Sequence, residues 1–210
     1  SQPHYVEMFT QAVFSTLRLP AGSRLVIGGD GRYFNSEAIQ RLMAVAIANG
    51  VGEIIVGQHG LLSTPAASHL IRQRHAAAGF ILTASHNPGG PTGDFGLKFN
   101  TPTGGQAPEH VTDEVFRISQ RQTGYRRVEL PAVDLSRTGI TRIGGVVLEV
   151  VDPVADYAAL MESLFDFQRI ADWLRAGHRL RFDAMHAVTG PYARRLLVDR
   201  LGAPPDCLLH

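Results

Sequence analysis

Cysteine, lysine and long apolar runs are scarce in this 210-residue sequence, and each scarcity excludes a class of structure. The single cysteine, Cys207, cannot form an internal disulfide and excludes a zinc site built from several cysteines. No apolar run approaches the roughly 20 residues that span a bilayer. The first residues, Ser1-Gln2-Pro3-His4, do not have the pattern of a signal peptide. We therefore predict a cytoplasmic protein that does not bind membranes.

Neither sign of charge dominates, since 20 basic residues face 19 acidic ones and the formal net charge is +1. No basic block stands out, which argues against an extended nucleic-acid surface. The hydrophobic fraction of 44% is enough for a packed core and excludes a disordered chain. The length corresponds to one domain, or to one domain and part of another, and nothing in the sequence indicates an oligomeric state.

Lysine is nearly absent, because Lys98 is the single lysine among the 20 basic residues. An ammonium group can exchange a proton near neutral pH when its pKa shifts, whereas a guanidinium stays charged. Lys98 is therefore a candidate functional residue. The alternative is a codon bias that left one lysine by chance.

The apolar pattern of the first part of the chain alternates between strand and helix. This order predicts an α/β fold, a three-layer helix–sheet–helix arrangement with a mixed, mostly parallel sheet. Strands are predicted over residues 24–28, 53–57, 79–84 and 146–151, and helices over 5–17, 36–49, 64–77 and 108–120.

The segment 95–99 predicts a strand of a different kind. Alternation places Phe95, Leu97 and Phe99 on one face and Lys98 on the other. The short segment before it cannot hold a helical crossover, so we predict an antiparallel return. Residues 122–143 are irregular and rich in arginine, which predicts a peripheral hairpin or loop.

Residues 152–210 repeat the same alternation but contain about one strand, at 180–183. Asp152 is predicted to cap a helix, and further helices are predicted over 165–174 and 190–201. We therefore predict two domains: 1–151, an α/β domain that carries the functional loop, and 152–210, the beginning of a second, incomplete α/β domain.

The loop 83–94 follows the carboxyl end of a buried strand, where open α/β sheets bind their ligands. Its prolines restrict the backbone, and its glycines let backbone N–H groups approach an anion. Ser85 lacks the Gly-x-Ser-x-Gly pattern of hydrolase nucleophiles, and no Gly-Lys-Ser/Thr sequence follows it. The residues alone leave two alternatives: Ser85 handles a phosphoryl group, or it is only a turn residue.

Residues 83–90, Thr-Ala-Ser-His-Asn-Pro-Gly-Gly, and 93–100, Gly-Asp-Phe-Gly-Leu-Lys-Phe-Asn, resemble the active-site segment of the α-D-phosphohexomutases, and in particular of the phosphoglucomutase branch. Further segments resemble other signatures of that branch in the same order. They are Gly-Gly-Asp-Gly-Arg-Tyr-Phe at 28–34, the segment 57–65, and Asp-Ala-Met-His at 183–186 with Gly-Pro-Tyr at 190–192. The resemblance covers nearly the whole chain.

By this resemblance, Ser85 is a phosphoserine that interconverts glucose 1-phosphate and glucose 6-phosphate through glucose 1,6-bisphosphate. The resemblance also implies Mg²⁺, held in part by the phosphate on Ser85. His86 and Lys98 become catalytic candidates, for proton transfer or for stabilising phosphoryl charge. Asn87 and Arg32 become candidates for binding the phosphate. His86 alternatively only orders the loop, and Arg32 supports the loop or pairs with an acidic neighbour.

Two segments of the family pattern do not occur in this sequence. No Gly-Thr-Ser-Gly-Leu-Arg segment precedes Tyr5, and no Asp-x-Asp-x-Asp segment supplies the metal-binding carboxylates. We therefore expect a piece of a longer protein that binds Mg²⁺ weakly and is inactive alone. Two other functions remain open: a phosphohexomutase for mannose or amino-sugar phosphates, and a non-catalytic structural relative. The intact Ser85-His86-Asn87 sequence favours catalysis.

Overall fold

The computed structural model describes residues 4–210, which form two compact units. The first unit ends at Val151, and the second spans Asp152–His210. The prediction that residues 1–3 do not begin a signal peptide lies outside the described residues. Within residues 4–210, no helix is both long enough and apolar enough to cross a membrane.

A six-stranded mixed sheet forms the centre of the first unit. Its strands are β1 (Arg24–Gly29), β2 (Glu53–Leu61), β3 (Ala78–Leu82), β4 (Leu97–Asn100), β5 (Gly139–Ile143) and β6 (Val146–Val151). Their order across the sheet is β4-β3-β1-β2-β6-β5. The four inner strands are parallel, whereas the edge strands β4 and β5 are antiparallel to their neighbours. The predicted mixed, mostly parallel α/β sheet is confirmed.

Helices cover both faces of this sheet. They are α1 (Tyr5–Leu17), α2 (Asn35–Ala48), α3 (Thr64–Gln73) and α4 (Glu109–Ser119). Along β1, Leu25 and Ile27 join a buried core with α1, α2 and α4, while α3 packs against β1 and β3. All strand residues from Leu25 to Gly29 are buried, as expected for an inner parallel strand with helices on both sides.

The edge strand β4 is the predicted antiparallel return. It pairs with β3 in a register that places Phe99 opposite Phe80 and Lys98 opposite Ile81. Leu97 and Phe99 are buried and Lys98 is exposed, which confirms the predicted alternation for these three residues. The strand begins at Leu97 rather than at Phe95, and Phe95 is only partly buried.

Several segments of the first unit depart from the predicted bounds. α3 ends at Gln73 rather than at residue 77, and β3 ends at Leu82 rather than at residue 84. β2 continues to Leu61, beyond the predicted end at Gly57, because the chain bulges at His59 and Gly60, where φ is 57° and 74°. The region 122–143 is irregular for most of its length, but its last residues form β5, which makes a hairpin with β6. The predicted alternative of a peripheral hairpin is thus confirmed for these last residues, whereas the bounds of β5 were not predicted, because its side chains are largely exposed and show no apolar alternation.

The second unit is largely helical. It contains α5 (Ala155–Leu164), α6 (Phe167–Arg175), α7 (Thr189–Ala193) with a π-helical continuation at Arg194–Arg200, a short 3₁₀ turn, and two parallel strands, β7 (Phe182–Asp183) and β8 (Leu208–Leu209). The strand predicted at 180–183 is thus only two residues long.

Asp152 lies at the start of this unit. α5 begins two turn residues later than predicted, at Ala155, yet the Asp152 carboxylate accepts the backbone N–H groups of Val154 at 2.8 Å and Ala155 at 3.2 Å. It also pairs with Arg195 at 2.9 Å. The capping chemistry is therefore present before the first helical residue.

Candidate active site

Ser85 lies in an exposed loop that begins at the carboxyl end of β3. Its φ angle is +57°, in the left-handed region that glycine normally occupies. Such a conformation costs a non-glycine residue on the order of 1–3 kcal/mol, so neighbouring groups must hold it in place. The residues that do so lie just after the ends of β1 and β3 and in β4.

Lys98 contacts the Ser85 side chain directly. Its Nζ donates a hydrogen bond to Ser85 Oγ at 3.0 Å, and both side chains face solvent. The structure thus brings together two of the three residues that the sequence analysis named as catalytic candidates.

Arg32 and Asp30 form an ion pair at the end of β1, beside β3. Arg32 Nε lies 3.0 Å from Asp30 Oδ1 and Nη2 lies 2.8 Å from Oδ2. The turn between them needs Gly31, whose φ is +80° and which lets Arg32 fold back over the aspartate. The Arg32 side chain is 8% exposed, so most of this ion pair is shielded from water.

The remaining N–H groups of Arg32 bind the backbone of the loop. Nη1 donates to the Asp94 carbonyl oxygen at 2.6 Å, and Nη2 donates to the Ser85 carbonyl oxygen at 3.3 Å. Two of the three roles considered for Arg32, loop support and pairing with an acidic neighbour, are therefore present together, and its role in binding a phosphate on Ser85 stays a prediction.

Thr83 connects Asp30 to the amide of Ser85. Its hydroxyl donates to Asp30 Oδ2 at 2.7 Å and accepts the Ser85 N–H at 3.0 Å. The Thr83 N–H donates to the Gly96 carbonyl at 2.9 Å, and the chains approach so closely that a Cβ at Gly96 would overlap the Thr83 carbonyl group. Thr83 is buried by this arrangement.

The pKa of Asp30 is lowered from its ordinary value. Burial is the largest single influence and raises it, but hydrogen bonds from Arg32 and Thr83, together with the Arg32 charge, lower it further than burial raises it. The carboxylate is therefore ionised at neutral pH and accepts from both neighbours.

Asn87 and His86 are placed differently from Lys98. The Asn87 side-chain amide donates to Asp94 Oδ2 at 2.9 Å, which closes the loop on itself. His86 is exposed, and its ring makes no hydrogen bond to any of residues 4–210. Neither side chain contacts Ser85 Oγ, so their roles as phosphate or proton-transfer groups stay predictions.

The described residues do not fit Mg²⁺ without further ligands. Among them, no group of three histidine, cysteine, aspartate or glutamate side chains is arranged to hold a metal ion. The Asp30 carboxylate accepts from Arg32 and Thr83, and the Asp94 carboxylate accepts from Asn87. A hard cation requires several oxygen ligands, and a phosphate on Ser85 would supply only some of them.

Sequence reasoning did not identify Asp30 or Thr83 as site residues. The sequence feature that could have identified them is their position at or just after the end of a predicted strand. Asp30 follows β1 and Thr83 follows β3, and because these strands are parallel neighbours, their carboxyl ends meet at one edge of the sheet.

Comparison with known proteins agrees with the fold. Residues 1–126 match the family model described as phosphoglucomutase/phosphomannomutase, alpha/beta/alpha domain I. A Schizosaccharomyces pombe protein named phosphoglucomutase is 50% identical over 97% of this chain, and one from Rhizobium radiobacter is 49% identical over 97%. An Arabidopsis thaliana protein named as a chloroplastic phosphoglucomutase is 49% identical over 99%.

Solved structures show the same architecture. The open form of the Paramecium exocytosis-sensitive phosphoprotein pp63/parafusin, also described as a phosphoglucomutase, has a TM-score of 0.94, 42% identity and coverage of 99% of this chain and 40% of its own. A Thermus thermophilus protein described as a phosphomannomutase shares the fold alone, with a TM-score of 0.72 and 21% identity. The chain spans 37%, 38% and 34% of the length of the three curated relatives above.

Proposed function

Since the chain belongs to the phosphoglucomutase/phosphomannomutase family, we propose that it carries the phosphoserine loop of a phosphoglucomutase and that Ser85 exchanges the phosphoryl group. The observation that supports this most is the 3.0 Å contact between Lys98 Nζ and Ser85 Oγ on an exposed loop at the carboxyl edge of the sheet. Relatives that are 50% and 49% identical are named phosphoglucomutase, which supports a glucose phosphate as the substrate.

In the proposed reaction, a phosphoryl group moves from Ser85 Oγ to a hydroxyl oxygen of a glucose monophosphate. The bond between phosphorus and Oγ breaks, a new phosphorus–oxygen bond forms, and the proton of the sugar hydroxyl is released to a base. The product, glucose 1,6-bisphosphate, then returns its other phosphoryl group to Ser85. The net change interconverts glucose 1-phosphate and glucose 6-phosphate.

Lys98 has two uses in this scheme. As an ammonium group beside Oγ, it neutralises the negative charge that gathers there when the phosphoryl group leaves. Its second proposed role is proton transfer with the incoming sugar hydroxyl. His86, exposed next to Ser85, is the second candidate for this proton, and Asn87 and Arg32 fix the loop around the phosphate.

Mg²⁺ belongs to the proposal as an ion that neutralises phosphate charge. Among residues 4–210, no group of three histidine, cysteine, aspartate or glutamate side chains is arranged to hold the ion, so we propose that a phosphate on Ser85 would supply some of its oxygen ligands and that carboxylates outside these residues would complete its coordination. Such transfers depend on alignment and on charge neutralisation, and this chain supplies the alignment.

Transfer of label from glucose 1,6-bisphosphate tests the proposal. The protein at its natural length, incubated with bisphosphate carrying ³²P, should take up label on Ser85, as mapped by mass spectrometry of its peptides. Ser85→Ala should abolish the label, whereas Ser36→Ala, which removes another exposed serine, should not. Label that persists in Ser85→Ala would show that another residue is the nucleophile.

The same assay separates the alternatives. Faster labelling and turnover with mannose or amino-sugar phosphates than with glucose phosphates would identify a different phosphohexomutase. A wild-type protein that takes no label from any of them would be a non-catalytic relative. The cytoplasmic location stays a prediction, which cell fractionation tests, because one of the relatives is named as chloroplastic.

A further inference from the structure

We propose that Asp30 is a positioning residue for Ser85, acting through Arg32 and Thr83; this inference rests on the proposed function of Ser85. We call Asp30, Arg32 and Thr83 the Asp30 clasp. No atom of Asp30 bonds to Ser85, yet both backbone polar groups of Ser85 are connected to its carboxylate through one intermediate side chain each.

The first connection runs through Thr83. Asp30 Oδ2 accepts a hydrogen bond from the Thr83 hydroxyl at 2.7 Å, which leaves the lone pairs of Oγ1 to accept a hydrogen bond from the Ser85 N–H at 3.0 Å. A hydroxyl has one proton, so the carboxylate fixes the direction of the donor and thereby the role of Oγ1 as acceptor. Without the carboxylate, the hydroxyl is free to rotate away from Ser85.

The second connection runs through Arg32. The Asp30 carboxylate accepts hydrogen bonds from Nε and Nη2 of Arg32 in a bidentate ion pair, which sets the plane of the guanidinium. In that plane, Nη2 also reaches the Ser85 carbonyl and Nη1 reaches the Asp94 carbonyl at the far end of the loop. The clasp therefore holds the loop at both ends.

These contacts hold the backbone of Ser85 in its left-handed conformation. A serine at φ +57° is not held there by its own preference, and rotation of its backbone would move Oγ away from Lys98 Nζ. Phosphoryl transfer requires the reacting atoms in line, and small displacements are costly in rate. The clasp thus sets the distance between the nucleophile and its cation from a residue that touches neither.

Four variants of the natural-length protein test the role. Asp30→Asn keeps the shape of the side chain but removes its charge, and Thr83→Val keeps the shape of the threonine but removes its hydroxyl. Thr83→Ser retains the hydroxyl and should therefore retain the wild-type rate that Thr83→Val loses. Glu149→Gln is the matched control, because Glu149 is 18% exposed and pairs with Arg74, as Asp30 is 17% exposed and pairs with Arg32.

The expected result is a loss of rate without a loss of substrate binding. Asp30→Asn and Thr83→Val should each slow labelling of Ser85 and lower kcat by about 10- to 100-fold, with KM unchanged. The double variant Asp30→Asn/Thr83→Val should lose about as much rate as the slower of the two single variants, since both substitutions break the same connected hydrogen-bond network. Thr83→Ser and Glu149→Gln should stay within about twofold of wild type.

A second measurement does not depend on catalysis. Hydrogen–deuterium exchange at the Ser85 amide, resolved by fragmentation in the mass spectrometer, should be at least about 10-fold faster in Asp30→Asn than in wild type or Glu149→Gln. Labelling at the wild-type rate in Asp30→Asn, or unchanged exchange, would overturn the inference. If wild type takes no label, the proposed function fails, and the exchange rate alone then decides whether Asp30 positions Ser85.

Discussion

Lys98 lies opposite Ile81 in the β3–β4 ladder, and this register carries its ammonium group to within 3.0 Å of Ser85 Oγ. The serine is on the loop that leaves β3, and the lysine is on the strand that returns to it. A single antiparallel pair of strands therefore carries both groups. The residues on either side of Lys98 in β4 are Leu97 and Phe99, which are buried and fix the strand against the core.

Replacing Lys98 should slow phosphoryl transfer. Lys98→Met removes the cation beside Oγ, and we expect the rate of Ser85 labelling to fall about 100-fold or more. Lys98→Arg keeps the charge but exchanges no proton near neutral pH, so it should restore only part of the rate if proton transfer matters. Arg142→Met, which removes an exposed cation from β5, is the control and should leave the rate unchanged. A Lys98→Met protein that labels normally would exclude this lysine from the chemistry.

Gly96→Ala should destabilise the first unit. The added Cβ would lie 3.1 Å from the Thr83 carbonyl carbon and closer still to its oxygen, so β4 must shift away from β3. Overpacking of this kind costs about 1–3 kcal/mol in free energy of unfolding, which urea denaturation measures. Gly89→Ala is the matched control in the same loop, since its Cβ would meet nothing within 4 Å and should change stability by less than about 0.5 kcal/mol. Equal stability of the two variants would contradict the close approach.

Asp152 should make the second unit sensitive to acid. Its pKa is lowered: burial, the largest influence, raises it, but the N–H groups of Val154 and Ala155 and the Arg195 guanidinium together lower it more. The stabilisation is therefore complete above the ordinary value of 3.8 and is lost as pH falls through the lowered pKa. Asp152→Ala should cost about 1 kcal/mol at neutral pH, and this difference should shrink below pH 3.8.

Trp173 provides the readout for Asp152, because it is the single tryptophan of the sequence and lies in α6 of the same unit. Its fluorescence during urea unfolding of the 210-residue chain reports on this unit. Asp206→Asn, a change at an exposed carboxylate of the 3₁₀ turn, is the control and should change the free energy of unfolding at neutral pH by less than about 0.5 kcal/mol. A constant difference between Asp152→Ala and wild type from pH 7 to pH 2 would exclude the carboxylate as the cause.

The 210 residues alone should show negligible mutase turnover. The described residues supply Ser85 and Lys98 but no group of carboxylates for Mg²⁺. A coupled assay for glucose 6-phosphate formation, run with millimolar Mg²⁺ on this chain and on the natural-length protein, makes the comparison. Turnover by the 210-residue chain near that of the longer protein would mean that the chemistry needs neither further carboxylates nor further residues.

The sequence predicted most of the fold because apolar periodicity is strong where elements are buried. α1 and β6 have the predicted bounds, and the antiparallel return of β4 followed from the short loop before it. The bulge at His59 and Gly60 could not be predicted, since it depends on a tertiary contact in which Asn35 Nδ2 donates to the Gly60 carbonyl at 3.1 Å.

The site divides in the same way. Ser85 and Lys98 stand out in the sequence, one by its glycine-rich loop and the other by its rarity. Asp30 lies far from both along the chain, and Thr83 has the appearance of an ordinary strand residue. Their connection exists only once β1 and β3 lie side by side, because residue spacing carries no information about which strand ends become neighbours.

The position of β6 has a consequence for how the protein is made. This strand pairs with β2, placing Val147 beside Glu53, so about 90 residues of chain must be closed into a loop before the sheet is complete. Until the chain as far as Val151 has left the ribosome, β6 cannot pair with β2, and that edge of the sheet has no partner strand. During synthesis, the serine loop and the three strands that hold it therefore leave the ribosome well before β6 does, and the β2 edge of the sheet stays exposed in that interval.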